Sequence, residues 1–65
     1  MPEIMTIDDV ATLLQMSRSQ VYTLTRKRSQ ARMENPIPVL RINGNLRFRR
    51  SDVEAWIELI AKEAA

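Results

Sequence analysis

Cationic side chains able to neutralise phosphate are the chemistry this sequence holds in quantity. Arg18, Arg26, Lys27, Arg28, Arg32, Arg41, Arg47, Arg49 and Arg50 fall in the middle of the chain with Glu34 as the only acid among them, a block of net charge +8. Glu3, Asp8 and Asp9 precede it; Asp52, Glu54, Glu58 and Glu63 follow with Lys62, so the formal net charge of +2 conceals a polarised molecule. Such a basic segment is the electrostatic footprint of a polyanion binder, because neutralising phosphates releases condensed counterions. The plain alternative is a solvated charged surface.

Other chemistries are poorly supplied. The 65 residues contain no Cys and no His, so neither a thiolate site nor a metal site is expected, and a core held without disulfides suits a reducing cytoplasm. Asp8 and Asp9 are neighbours about 100° apart on a helix and do not converge on a substrate, so no enzyme, cofactor or small-molecule substrate is expected. No apolar run approaches the ~20 residues that span a bilayer, and the N-terminus has no leader pattern; the expectation is a cytoplasmic protein without membrane contact. A chain this short supports one core, so residues 1–65 read as one domain.

Three positions spell a capped helix start: Thr6 with Asp9, Ser17 with Gln20, and Ser51 with Glu54. In each, a hydroxyl accepts from a backbone N–H three residues on, and the later side chain reaches back. After Thr6, Ile7, Val10, Ala11 and Leu14 recur at helical spacing, which predicts an amphipathic helix over about 7–14. Only Gln15 and Met16 separate it from the Ser17 cap, the spacing of a helix-turn-helix. On the second helix Val21 and Leu24 mark the buried side, and Ser19, Tyr22, Thr23 and Arg26 gather opposite. Arg28 rotates back toward the core side, so either the helix ends near Lys27 or the Arg28 stem snorkels.

Asn35-Pro36-Ile37-Pro38 is not helical, since each Pro lacks an N–H and restricts the residue before it. The stretch from Arg28 to Pro38 has loop composition. Leu40 and Ile42 then alternate with Arg41, and Leu46 and Phe48 with Arg47 and Arg49, around Asn43-Gly44-Asn45, a β-hairpin pattern. A two-residue turn sets Leu40 opposite Arg47 and mixes the faces. A three-residue loop pairs Ile42 with Leu46 and Leu40 with Phe48, with Asn45 or Gly44 at positive φ, and is the expected register. It also sets Arg41 against Arg47, a like-charge pair that suits an anionic partner or protects an edge strand. The last helix, from about Asp52 to Lys62, places Val53, Trp56, Ile57 and Ile60 on one face, and Trp56 and Phe48 are expected to close the core beneath the hairpin.

Thr6-Ile7-Asp8-Asp9-Val10-Ala11 with Leu13-Leu14, Met16-Ser17-Arg18-Ser19-Gln20-Val21-Tyr22, Arg41-Ile42-Asn43-Gly44, Arg47-Phe48 and Ser51-Asp52-Val53-Glu54-Ala55-Trp56-Ile57 together span nearly the whole chain. This pattern resembles the excisionase family of small DNA-binding proteins, relatives of the MerR-type winged-helix fold. The resemblance implies an α+β fold, a small winged helix-turn-helix of two helices, a β-hairpin wing and a C-terminal helix. It also implies a recognition helix in the major groove, starting at Arg18, and a wing, Val39 to Arg49, on phosphates or the adjacent minor groove. Family members often carry Gly in the turn where this chain has Gln15, and usually have a shorter, Gly-stopped link in place of Arg28 to Pro38.

On that reading Ser19, Tyr22, Thr23 and Arg26 are candidates for base edges, Arg26 as the bidentate partner for guanine and Tyr22 against thymine methyls. Tyr22 has a second reading as a core-rim aromatic beside Val21. Arg18, Lys27, Arg41, Arg47 and Arg49 are candidates for phosphates, as are Arg28 and Arg32 in the loop, with Asn43 and Asn45 at the wing tip. The resemblance implies a phage or mobile-element excisionase that binds and bends double-stranded attachment-site DNA, associates with itself there and turns an integrase toward excision in a bacterial host cell. A small transcriptional regulator on operator DNA is the alternative, and a protein-interaction module for an acidic partner is a third reading.

Overall fold

The computed structural model describes residues 3–64. Along the chain run β1 (Ile4–Met5), α1 (Ile7–Leu14), α2 (Arg18–Thr25), α3 (Lys27–Arg32), β2 (Leu40–Ile42), β3 (Asn45–Arg49) and α4 (Arg50–Ala64). Among the described residues this makes four helices and a three-stranded antiparallel sheet of order β1-β3-β2, an α+β architecture compatible with a winged helix-turn-helix.

The first two helix starts form as their residues dictate. Thr6 Oγ1 accepts from the Asp9 N–H at 3.3 Å and Asp9 Oδ2 from the Thr6 N–H at 3.0 Å. Ser17 Oγ accepts from the Gln20 N–H at 3.2 Å and Gln20 Oε1 from the Ser17 N–H at 2.9 Å. Between the helices Gln15 is left-handed, φ 54° and ψ 45°. Its N–H reaches the Thr12 carbonyl at 3.2 Å and that of Met16 reaches the Ala11 carbonyl at 2.9 Å. These two bonds make a Schellman close, which aims the chain from α1 into α2 and is usually given to Gly.

The region after α2 departs from expectation. Helix α2 stops at Thr25, and Arg26 is extended at φ −64° and ψ 135°, so it lies between helices and not on the second one. Residues Lys27–Arg32, expected in the recognition helix or as loop, form α3. Nothing caps the start of α3 with a side chain; it is held by its neighbours, Gln30 Nε2 donating to the Ile37 carbonyl at 3.0 Å. Ile37, between two prolines, is only 1% exposed and belongs to the core.

The hairpin adopts the register that face alternation argued against. Leu40 pairs with Arg47, Arg41 with Leu46 and Ile42 with Asn45. Asn43 (φ 50°) and Gly44 (φ 80°) form the two-residue turn, and Asn45 is already in β3. Two adjacent positive φ values are the signature of a turn whose twist matches the strands, and Asn-Gly suits it; that local preference outweighs tidy alternation near the turn, where residues 41–45 are exposed whichever face they take. Arg41 and Arg47 therefore occupy opposite faces, and the expected like-charge pair does not form. The two-residue β1 adds Ile4↔Arg49 and Met5↔Phe48 on the other edge of β3.

Met5, Ile7, Val10, Ala11, Val21, Ile37, Phe48 and Val53 form the core, with Leu14, Leu24, Trp56 and Ile57 packed against it. Phe48 is wholly buried as expected, whereas Trp56 is half-buried and Ile60 is exposed. The Trp56 indole is drawn sideways, Nε1 donating to the Asn35 carbonyl at 2.9 Å, and forms part of an open groove with Pro36, Pro38 and Leu59. Helix α4 starts before the expected Ser51 cap. Its first donors go to Glu3: the Arg50 N–H to the Glu3 carbonyl at 2.6 Å, and the Ser51 Oγ–H to Glu3 Oε1 at 2.8 Å. Glu54, the expected partner of Ser51, pairs with Arg50 at 3.6 Å. No described helix is long and apolar enough to cross a membrane.

Candidate nucleic-acid interface

Helix α2 buries Val21 and Thr25 and turns Ser19, Tyr22 and Thr23 to solvent. Tyr22 is 43% exposed, which leaves its ring open to a ligand. Thr23 Oγ1 donates to the Ser19 carbonyl at 3.1 Å, so Thr23 offers a methyl group and acceptor lone pairs and keeps its proton within the helix. Thr25, absent from the sequence-derived core, hides its hydroxyl by donating to the Tyr22 carbonyl at 2.8 Å. It stands four residues after Val21 on the same helix face, but a hydroxyl side chain between Leu24 and Arg26 is not marked as core by its type.

Arg18 lies at the first position of α2, and its Nε is 3.5 Å from Asp8 Oδ1, with both side chains mostly exposed. An exposed pair of this kind is worth about 0–1 kcal/mol, so the guanidinium is cheaply redirected to a phosphate. At the other end Arg26, Lys27, Arg28 and Arg32 are all exposed on the break and on α3. The helix is eight residues long, which separates its two basic ends by about 12 Å.

The wing is joined to this helix by Arg41. Its side chain lies on the Leu46 and Phe48 face of the ribbon, and Nη2 donates to the Thr25 carbonyl at 3.1 Å, the last turn of α2. A cation there also meets the negative end of the helix dipole. Arg41 is thus partly committed to structure. Arg47 and Arg49 lie on the opposite face, Arg47 half-buried with Nη1 donating to the Leu46 carbonyl at 2.7 Å, and Arg49 exposed. Asn43 and Asn45 stand exposed at the tip. Arg50, in the basic block but not among the site candidates, is held by Glu54.

One carboxyl beside this basic edge is perturbed, chiefly by hydrogen bonds from Ser51. The Ser51 hydroxyl and backbone N–H, with Arg49 and Arg50 nearby, hold Glu3 below its ordinary value of 4.5 against a weaker opposing effect of desolvation. Among the described residues no group of three or more His, Cys, Asp or Glu side chains is placed to hold a metal ion.

Two helices across a tight turn, the second with an exposed polar face, and a basic ribbon tied to its end define a helix-turn-helix DNA-binding domain with a wing. A family model described as a helix-turn-helix domain matches residues 4–58, and the chain belongs to this family. Membership implies DNA binding. No curated protein and no solved structure matches the chain.

Proposed function

We propose that this protein is an excisionase, a non-catalytic architectural factor that binds duplex attachment-site DNA, bends it and sets an integrase toward excision. The observation that carries the DNA-binding part is the exposed Ser19, Tyr22 and Thr23 face of α2, with the wing fixed to the same helix through Arg41 and the Thr25 carbonyl. The excision role is supported by the resemblance of the turn, wing and α4 residues to excisionases. On DNA, α2 enters the major groove; Ser19, Tyr22, Thr23 and Arg26 meet base edges while Arg18, Lys27, Arg28, Arg32, Arg41, Arg47 and Arg49 meet phosphates. Neighbouring copies associate through acidic α4 and basic α3. The setting is the cytoplasm of a bacterial host.

Titration against duplex DNA at several salt concentrations tests the binding reading: log K should fall with log salt with a slope on the order of −4 to −6 if five or six phosphates are neutralised. Arg26→Ala should cost about 1–3 kcal/mol on the selected site and little on random DNA, whereas Arg47→Ala should weaken both alike. A slope near zero would sink the binding reading. Gel shifts on attachment-site DNA should give successive complexes, and excision by the integrase should require the protein. A single complex on one promoter, with recombination indifferent to its deletion, would make it a transcriptional regulator.

A further inference from the structure

The tip of the wing is chemically unlike the rest of the basic block. Ile42, Asn43, Gly44 and Asn45 carry no charge, and the register places the nearest cations behind them: Arg41 on the opposite face, Arg47 two residues down β3 from Asn45 on the Ile42 face. Ile42 is 49% exposed, the most exposed of the large apolar side chains described, and it sits at the last position of β2 before the turn. Its partner across the ribbon is Asn45, whose amide shares its face. A tip built to grip phosphate would put a cation there.

We infer that Ile42 is a wedge that enters the minor groove and parts a base step, with the Asn43 and Asn45 amides donating to acceptors on the groove floor; this rests on the DNA-binding reading above. The chemistry matches the site. The minor groove of A·T pairs presents only the acceptors adenine N3 and thymine O2, to which amide N–H groups donate. Apolar side chains inserted between base steps unstack them and kink the duplex, and pyrimidine–purine steps yield most readily. A β-branched side chain is stiff at χ1, so little rotamer freedom is lost when Ile42 is used this way. The two-residue turn keeps the tip narrow, with Gly44 at φ 80°. The Arg41 bond to the Thr25 carbonyl fixes where the wedge falls relative to α2, and Arg47 is set back where a groove-edge phosphate would pass.

The test uses the full chain and an A·T-rich duplex with 2-aminopurine replacing adenine at TpA steps and a donor–acceptor dye pair on its ends. Wild-type protein should raise aminopurine emission severalfold on binding and bring the ends together. Ile42→Ala should bind with an unchanged salt slope, melt like the parent because the side chain is half in solvent, and lose both signals; Ile42→Leu should restore them. Binding by wild type with no rise in aminopurine emission, or a full rise with Ile42→Ala, overturns the wedge and leaves DNA binding intact. Failure of wild type to bind any duplex overturns both.

Discussion

Gln15 shows what a single backbone angle does for this site. An L-residue, unlike achiral Gly, meets a steric penalty in the left-handed region, on the order of 1–2 kcal/mol, yet Gln15 is held there by the paired bonds from its own N–H and that of Met16. The resemblance to excisionases pointed to this position as one where Gly is common, and the angle explains why. Gln15→Gly should raise stability by about 0.5–1 kcal/mol, the steric relief being partly offset by the freer unfolded chain. Thermal melts check this, and a lower melting temperature would mean that the Gln15 side chain makes a stabilising contact. Both capping boxes around this turn were legible in the sequence because everything they need lies within three residues. Arg26 was harder: nothing in its type reveals that its backbone leaves the helix, and only the observed break separates it from Tyr22 and Thr23.

At the scale of elements, legibility follows the distance between partners. Ser51 and Glu54 spell the same box as Ser17 and Gln20, but β1 brings Glu3 against the start of α4 and its carboxylate takes the Ser51 donors instead. The competing partner is far away in sequence, so no local pattern discloses it. Strand β1 is too short to show alternation, and α3 has no apolar stripe; each exists because a neighbour pairs with it. The hairpin was legible as an element and misjudged in register, since Asn43-Gly44 carried more weight than the alternation around it. The Glu3 cap has a pH consequence. Its carboxyl is held below the ordinary value of 4.5, so its contribution is present above that value and is lost as pH falls through the lower, folded-state value. Melting temperature should drop across that acid window in wild type, and Glu3→Gln should flatten the drop. An equally steep profile in Glu3→Gln would place the acid sensitivity elsewhere.

The whole molecule is a small core with charge sorted outward from it. Met5, Val10, Val21, Phe48 and Val53 are fully buried, and Phe48 is the largest of them. Phe48→Ala should cost about 3–5 kcal/mol, comparable to the whole margin of a domain this size, and leave the chain unfolded. Trp56→Phe should cost only about 1 kcal/mol, the net worth of the lost bond to the Asn35 carbonyl, because a phenyl ring keeps much of the apolar contact and the indole lines an open groove. Far-ultraviolet circular dichroism ranks the two; a more damaging Trp56→Phe would reverse the roles given to these aromatics.

The pairing of Met5 with Phe48 also sets an order of events during synthesis. Helices α1 and α2 find each other early, as their contacts are local, but the first strand has nothing to bond until β3 has left the ribosome. Closing that long loop costs entropy before any sheet contact repays it, which makes it a slow step for so small a protein. A chain that stops before Phe48 therefore lacks both the partner of Met5 and the largest fully buried side chain, and its eight-residue helices, too short to hold alone in water, have no floor to pack against.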